Sequence, residues 1–136
     1  MTMSAYAKGL RADYFYSGGT VSDQIAAGMG VPDQPVKQND GTWLVAGCRP
    51  HSCDEKSAII ARADGESLAA GVLYFPCGKK ASVKDCTKRP TLAVFLRSFV
   101  TSPDVPRNLQ DWARREVAQY KDLHPLQIEK IQILPH

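Results

Sequence analysis

Two cysteines enclose a histidine in the segment Gly47-Cys48-Arg49-Pro50-His51-Ser52-Cys53. If Cys48 and Cys53 are bonded, they close a six-residue ring that Pro50 stiffens, because proline fixes its own φ and biases the residue before it towards extended conformations. A ring of this size removes unfolded-state entropy worth about 2 kcal/mol in the chain-entropy model. So small a gain indicates that the ring shapes a projecting His51 more than it stabilises the whole protein.

Three other chemistries could use the same side chains. Zinc could take Cys48, His51 and Cys53 as ligands, but structural zinc sites favour Cys-x₂-Cys spacing, and the cysteine pairs of this chain are separated by four and eight residues. A cysteine–histidine nucleophile would need a free thiolate and an orienting third group. A redox-active disulfide would have Cys-x-x-Cys spacing after a βαβ unit. We therefore expect no metal and no cofactor; a disulfide-closed hairpin whose His51 merely points into solvent is an equally good interpretation of composition alone.

The four cysteines fall into two local pairs, and the second pair is Cys77 and Cys86. An even count favours a disulfide framework with three connectivities, of which local pairing is the simplest. Disulfides indicate an oxidising compartment such as a periplasm or the extracellular space. Since the N-terminus lacks the charged-then-apolar pattern of a signal peptide, we expect that the export signal has already been removed. The basic stretch 79–89 is interpreted as a solvated hairpin rather than a binding patch.

Composition is ordinary for a globular protein and predicts a single domain over residues 1–136. Hydrophobic residues make up 43% of the chain and charged residues 23%. The formal net charge of +3 falls well short of a nucleic-acid-binding signature, which would show clustered basic residues on a recognisable module. We therefore expect no nucleic-acid partner. No apolar run is long enough to span a membrane, so we expect no membrane insertion either.

The elements that must position the ring are strands. Residues 42–46 form an apolar run before it, and residues 57–63 form another after it. Asp64-Gly65 joins that run to residues 67–75 and is a strong hairpin signal. Residues 91–100 predict a further strand with Leu92, Val94 and Leu96 on one face.

Helices are predicted at both ends of the chain. The first thirty residues read as helical, with capping-box spacing from Thr20 to Asp23 and with glycines that end the helix. Helical periodicity returns at Asn108, and His124-Pro125 ends that helix. Residues 127–134 fit either a short helix or an extended tail. The sequence thus predicts an α+β fold, with an antiparallel meander of about five strands flanked by N- and C-terminal helices in three layers.

The segment from Trp43 to Cys53 resembles the signature region of the Ivy family, the bacterial inhibitors of vertebrate lysozyme. In that family the loop reads Cys-Lys-Pro-His-Asp-Cys and follows a strand that ends in Ala-Gly. The resemblance is specific at Cys48, Pro50, His51 and Cys53. It implies a periplasmic protein with no catalytic activity, a c-type lysozyme as its protein partner, a role in bacterial defence of peptidoglycan, and a homodimer.

The resemblance also implies a mechanism for an inhibitory loop formed by Arg49, Pro50, His51 and Ser52. A retaining glycosidase such as lysozyme works with two carboxyl groups about 5 Å apart, one protonated and one ionised. An imidazole has two nitrogens on opposite sides of a small ring, so it can hydrogen-bond both carboxyl groups at once. By the family's pattern, His51 would insert between them, and the closed ring would lower the ordering cost of binding.

Two positions depart from the family's loop. Arg49 replaces Lys, which keeps the charge and changes the hydrogen-bond geometry. Ser52 replaces Asp, which removes a negative charge beside His51 and, with the net charge of +3, predicts weaker association with a basic lysozyme. One alternative is therefore a paralogue that binds another muramidase, a lytic transglycosylase or an envelope component. A second alternative, from the enzyme class, is a thiol catalyst that uses the cysteines and His51.

Overall fold

The computed structural model describes residues 9–76, 89–129 and 131–134, which form ten strands and two helices. In chain order these elements are β1 (Arg11–Ala12), β2 (Gly19–Thr20), α1 (Val21–Ala27), β3 (Val31–Pro32), β4 (Val36–Lys37), β5 (Trp43–Arg49), β6 (Ser52–Ala61), β7 (Ser67–Tyr74), β8 (Thr91–Arg97), α2 (Asp104–Val117), β9 (Gln127–Ile128) and β10 (Gln132–Leu134). The α+β class is confirmed.

The four long strands β5 to β8 form an antiparallel meander in chain order. The predicted Asp64-Gly65 hairpin joins β6 to β7, and Gly65 has the positive φ of 93° that favours glycine at this turn. Ile59 of β6 pairs with Ala70 of β7, and Ala70 pairs in turn with Phe95 of β8. Apolar residues thus run across the sheet in continuous rows.

Short strands extend both edges of the meander, so in the described part of the chain the sheet has eight strands rather than the predicted five or so. β3 and β4 pair antiparallel with β5, whereas β9 and β10 pair parallel with β8. The C-terminal segment is therefore the extended tail and not the short helix. Tyr74 holds this tail, because its Oη donates a hydrogen bond of 2.8 Å to Glu129 Oε1.

Alternate residues of the central strands belong to two separate apolar clusters. Ile60 and Val94 pack with Trp112 of α2, while Ile59 and Phe95 pack with Ile25 of α1. Because side chains alternate across a strand, the two clusters lie on opposite faces of the sheet. The predicted facing of Leu92, Val94 and Leu96 is confirmed, since all three belong to the α2 cluster. A regular three-layer arrangement is not confirmed, because α1 has only seven residues and an irregular segment shares its face.

The helical interpretation of the first thirty residues is wrong for most of the described part. Only Val21–Ala27 is helical, and β1 and β2 form a small antiparallel sheet before it. The predicted cap is confirmed, since Thr20 Oγ1 accepts a hydrogen bond of 3.1 Å from the Asp23 N–H, and the helix ends at Gly28. Gly18, with a φ of 71°, allows the turn that reverses the chain between β1 and β2.

The C-terminal helix α2 begins earlier than predicted, at Asp104 rather than Asn108, and ends at Val117 before His124-Pro125. Pro106 lies in its first turn, where the missing N–H costs no intrahelical bond. The second cysteine pair, Cys77 and Cys86, lies outside the described residues, as does most of the basic stretch 79–89.

Candidate functional site

The ring is the tip of the β5–β6 hairpin. Cys48 and Cys53 form a disulfide, so this part of the cysteine prediction is confirmed. Arg49 pairs with Ser52 across the hairpin, which leaves Pro50 and His51 as the two residues of the turn. Of these residues, Pro50, His51 and Cys53 are exposed and Cys48 is buried.

His51 occupies the left-handed backbone region, with a φ of 65°. A residue other than glycine is uncommon there, although His, Asn and Asp are enriched, and such a conformation costs roughly 1 kcal/mol or more. The surrounding structure must therefore hold the turn in place. An exposed imidazole at the end of a covalently closed hairpin is thus presented to solvent in a fixed backbone geometry.

The pairing register between β5 and β6 shifts beside the ring. Cys48 pairs with Lys56, whereas the next residue, Arg49, pairs with Ser52, so residues 53–55 bulge from β6. The disulfide joins the two strands across this bulge, between Cys48 and the first bulged residue. It therefore closes the hairpin where the regular ladder of backbone hydrogen bonds is interrupted.

Pro50 rests on the turn that follows α1. A Cβ atom added at Gly30 would lie 2.7 Å from Pro50 Cδ, so the proline ring packs directly on the glycine backbone. Gly47, just before the ring, is equally close to β3, since its Cβ would lie 2.7 Å from the Val31 carbonyl oxygen. Both glycines are needed for close approach of the backbone, and together they fix the base of the ring against the chain that leaves α1.

Arg49 turns away from the tip and ties the ring to two other segments. Its Nη1 donates to Glu55 Oε1 at 2.9 Å and to the Phe15 carbonyl oxygen at 3.4 Å. The guanidinium also lies 5.6 Å from the Tyr16 ring centroid and 6.0 Å from that of Phe15, within the range of cation–π contacts. The charge of the half-buried Arg49 is therefore paired with a carboxylate of its own chain.

Burial of the Glu55 side chain raises its pKa above the ordinary value, and the nearby charge of Asp54 acts in the same direction. Hydrogen bonds and charge from Arg49, together with the hydroxyl of Ser52, act against this rise. Ser52 thus faces a carboxylate of its own chain. An aspartate at this position would place a second negative charge beside Glu55.

The N-terminal segment beside the ring is organised by Gln24, which is fully buried. Its Oε1 accepts hydrogen bonds from the backbone N–H groups of Tyr14 at 3.0 Å and Phe15 at 2.8 Å. Its Nε2 donates to the carbonyl oxygens of Ala12 at 2.7 Å and Gly19 at 3.1 Å. Sequence analysis missed this part of the site, because a single glutamine in a helix gives no signal that it will order a segment ten residues earlier.

The described cysteines and the other possible metal ligands bear on the alternative chemistries of the ring. Both described cysteines are in the disulfide, so neither can serve as a thiolate nucleophile or a zinc ligand. Among the described ranges, no group of three or more His, Cys, Asp and Glu side chains is placed to hold a metal ion. Within the same ranges, no helix is long and apolar enough to cross a membrane.

A family model described as inhibitor of vertebrate lysozyme (Ivy) matches residues 17–115. The chain belongs to the Ivy family. The resemblance found at the ring is therefore confirmed, and the match extends from the β1–β2 turn into α2, so it includes the whole meander. The chain matches none of the curated proteins and none of the solved structures with which it was compared.

As its description states, Ivy is a family of inhibitors that act on lysozyme, a protein partner. Of the residues predicted for the inhibitory loop, the structure places Pro50 and His51 at the exposed tip. Ser52 is half-buried beside Glu55, and Arg49 lies beneath the ring. The predicted loop therefore divides into a tip that a partner can reach and a base that holds it.

Proposed function

We propose that this Ivy protein inhibits a c-type lysozyme by inserting the tip of the ring, with His51, between the two catalytic carboxyl groups of the enzyme. The observation that carries the proposal is the exposed His51 at a φ of 65° on a disulfide-closed turn. Strained backbone that the surrounding structure holds in place is typical of functional sites.

The ring and its imidazole are suited to block the active-site cleft of such an enzyme. An imidazole can donate a hydrogen bond to an ionised carboxylate from one nitrogen and accept one from a protonated carboxyl at the other. Lysozyme-type enzymes keep one carboxyl group in each of these states, about 5 Å apart. Because the ring is already closed and supported by Gly30 and Arg49, little conformational entropy is lost when it enters the cleft.

The disulfide favours an oxidising compartment, and we propose the periplasm, where such an inhibitor would protect peptidoglycan from an invading lysozyme. The protein has no catalytic role in this proposal. A homodimer and a second disulfide between Cys77 and Cys86 stay predictions.

A second candidate target follows from Ser52. The loop has no carboxylate at this position, and Glu55, which the Ser52 hydroxyl faces, is paired with Arg49. An inhibitor without that negative charge is poorly suited to a strongly basic enzyme and better suited to a less basic one. The ring could then plug another muramidase or a lytic transglycosylase, which would be tested beside a c-type lysozyme in the same assay.

The test is a cell-wall lysis assay with the purified protein and three variants. His51→Ala removes the imidazole, and His51→Asn also removes it but tolerates the left-handed backbone. We expect both variants to inhibit at least tenfold more weakly, a difference of about 1.4 kcal/mol. His124→Ala, at an exposed histidine far along the chain, serves as the control and should match the wild type. Equal inhibition by all four proteins would exclude the plug mechanism.

A further inference from the structure

We propose that Tyr16 and Val31, two exposed apolar side chains beside the ring, contact the enzyme that the ring enters. This inference rests on the proposed function, because it assigns further contacts to the same interface. Sequence analysis gave no role to either residue. Both reach the ring through contacts that the structure shows.

The tip alone is too small to account for a stable complex. A specific protein interface covers about 800 Å² on each partner. Even a large aromatic side chain buries only about 150–250 Å². Pro50 and His51 can therefore supply a minor share of the area, and residues beside the ring must supply the rest.

Tyr16 is held in place and still available. Its side chain is 40% exposed, and its ring lies against the Arg49 guanidinium, with 5.6 Å between the ring centroid and Cζ. A Cβ atom added at Gly19 would clash with Tyr16 Cε2, so the ring also packs on the Gly19 backbone. No described residue hydrogen-bonds the Tyr16 hydroxyl. A fixed tyrosine with a free hydroxyl loses little entropy on binding and is a typical energetic centre of an interface.

Val31 lies beside the disulfide that closes the ring. It is the first residue of β3 and pairs with Cys48, and its side chain is 50% exposed. The preceding residue, Gly30, packs against Pro50. Val31 therefore presents apolar area next to the ring on a backbone that is fixed to the ring by strand pairing.

Charge also favours uncharged contacts here. The chain has a net charge of +3, so it gains no long-range attraction towards a basic lysozyme. The cation nearest the tip, Arg49, is already paired with Glu55. Tyr16 and Val31 can provide buried apolar area and hydrogen bonds close to His51 that do not depend on long-range attraction.

The test measures inhibition constants for Tyr16→Ala and Val31→Ala, with a control for each at a side chain of matched exposure. Tyr120 is 39% exposed beyond α2, and Ile133 is 55% exposed on β10 at the opposite edge of the sheet. We expect at least tenfold weaker inhibition for Tyr16→Ala and at least threefold for Val31→Ala, since the tyrosine would bury more apolar area than the valine. Tyr120→Ala and Ile133→Ala should match the wild type.

Amide hydrogen exchange at Arg49 and at residues 51–53 distinguishes contact from support of the ring. If Tyr16 contacts the enzyme, exchange in the free Tyr16→Ala variant stays at the wild-type rate while inhibition weakens. Weaker inhibition with faster exchange would overturn the contact and make Tyr16 a support for Arg49. Wild-type potency of either variant, while His51→Ala is impaired, overturns the assignment of that residue alone. A wild-type protein that inhibits no muramidase refutes the proposed function and this inference with it.

Discussion

Arg49 belongs to the predicted inhibitory loop, and the contacts that the structure shows for it are with its own chain. The sequence places it next to Pro50 and His51, and the family pattern assigns a cation there. In the structure its guanidinium binds Glu55 and the Phe15 carbonyl oxygen beneath the ring. Exchange of Lys for Arg is not conservative at such a site, because the planar guanidinium can contact a carboxylate, a carbonyl and an aromatic ring at once.

The raised pKa of Glu55 gives a prediction with a definite sign. Since burial raises the pKa, the folded protein holds the proton more tightly than the unfolded chain. The contribution of Glu55 to stability is therefore complete below its ordinary value of 4.5 and is lost as the pH rises through the higher folded value. We expect the unfolding free energy of the wild type, relative to Glu55→Gln, to fall as the pH rises from about 4. Urea unfolding across this range measures the difference; a rise with pH would contradict it.

At the scale of elements, the ring depends on three neighbours that are distant in sequence. Turn residues after α1 support Pro50, β3 packs on Gly47, and the segment around Phe15 accepts a hydrogen bond from Arg49. None of these contacts is encoded in the local pattern of the loop. Because several elements fix one turn, the strained backbone at His51 can persist in the folded protein.

Removal of the disulfide should therefore affect inhibition more than folding. For the double variant Cys48→Ala, Cys53→Ala we expect a loss of about 2 kcal/mol in unfolding free energy, as the chain-entropy model gives for a ring of this size. Inhibition should weaken at least tenfold beyond the effect of unfolding, because the loop must then be ordered on binding. Urea unfolding and the lysis assay on the same samples provide both values. Substitution is preferable to a reductant, which would also act on the predicted disulfide between Cys77 and Cys86.

A variant that keeps wild-type inhibition while it loses the expected stability would contradict this view of the ring. It would mean that strand pairing and the contact between Gly30 and Pro50 hold the turn without the disulfide.

For the whole molecule, the sequence predicts those features that depend on nearby residues. The Asp64-Gly65 hairpin, the facing of Leu92, Val94 and Leu96, and the cap at Thr20 are all local patterns, and all are confirmed. The ring could be predicted for the same reason, since both of its cysteines lie within six residues of each other.

The features that sequence analysis missed depend on distant residues. Gln24 orders a segment about ten residues earlier in the chain, and Arg49 binds a carbonyl group 34 residues away. The parallel pairing of β9 and β10 with β8 joins the C-terminal tail to the sheet across α2. No periodicity in the chain indicates these partners, because tertiary contacts select them.

The net charge gives a prediction for association as a whole. A chain with a charge of +3 and a basic lysozyme repel each other at long range. Salt screens this repulsion, so we expect the association rate constant to stay level or rise as the ionic strength is raised from about 20 to 200 mM. Stopped-flow measurement of complex formation would provide the rates. A steep fall with added salt would instead indicate attraction between local charges, and the acidic residues near the ring would be the first place to seek it.

In the proposed complex, His51 contacts the two catalytic carboxyl groups of the target enzyme. The most direct measurement is a double-mutant cycle of dissociation constants, with wild type and His51→Ala each titrated into the native enzyme and into an enzyme whose two carboxyl groups are replaced by amides. We expect a loss of at least tenfold when either side is changed and little further loss when both are, which corresponds to a coupling energy of about 1.4 kcal/mol or more. A coupling energy near zero, with each change weakening binding independently, would contradict it.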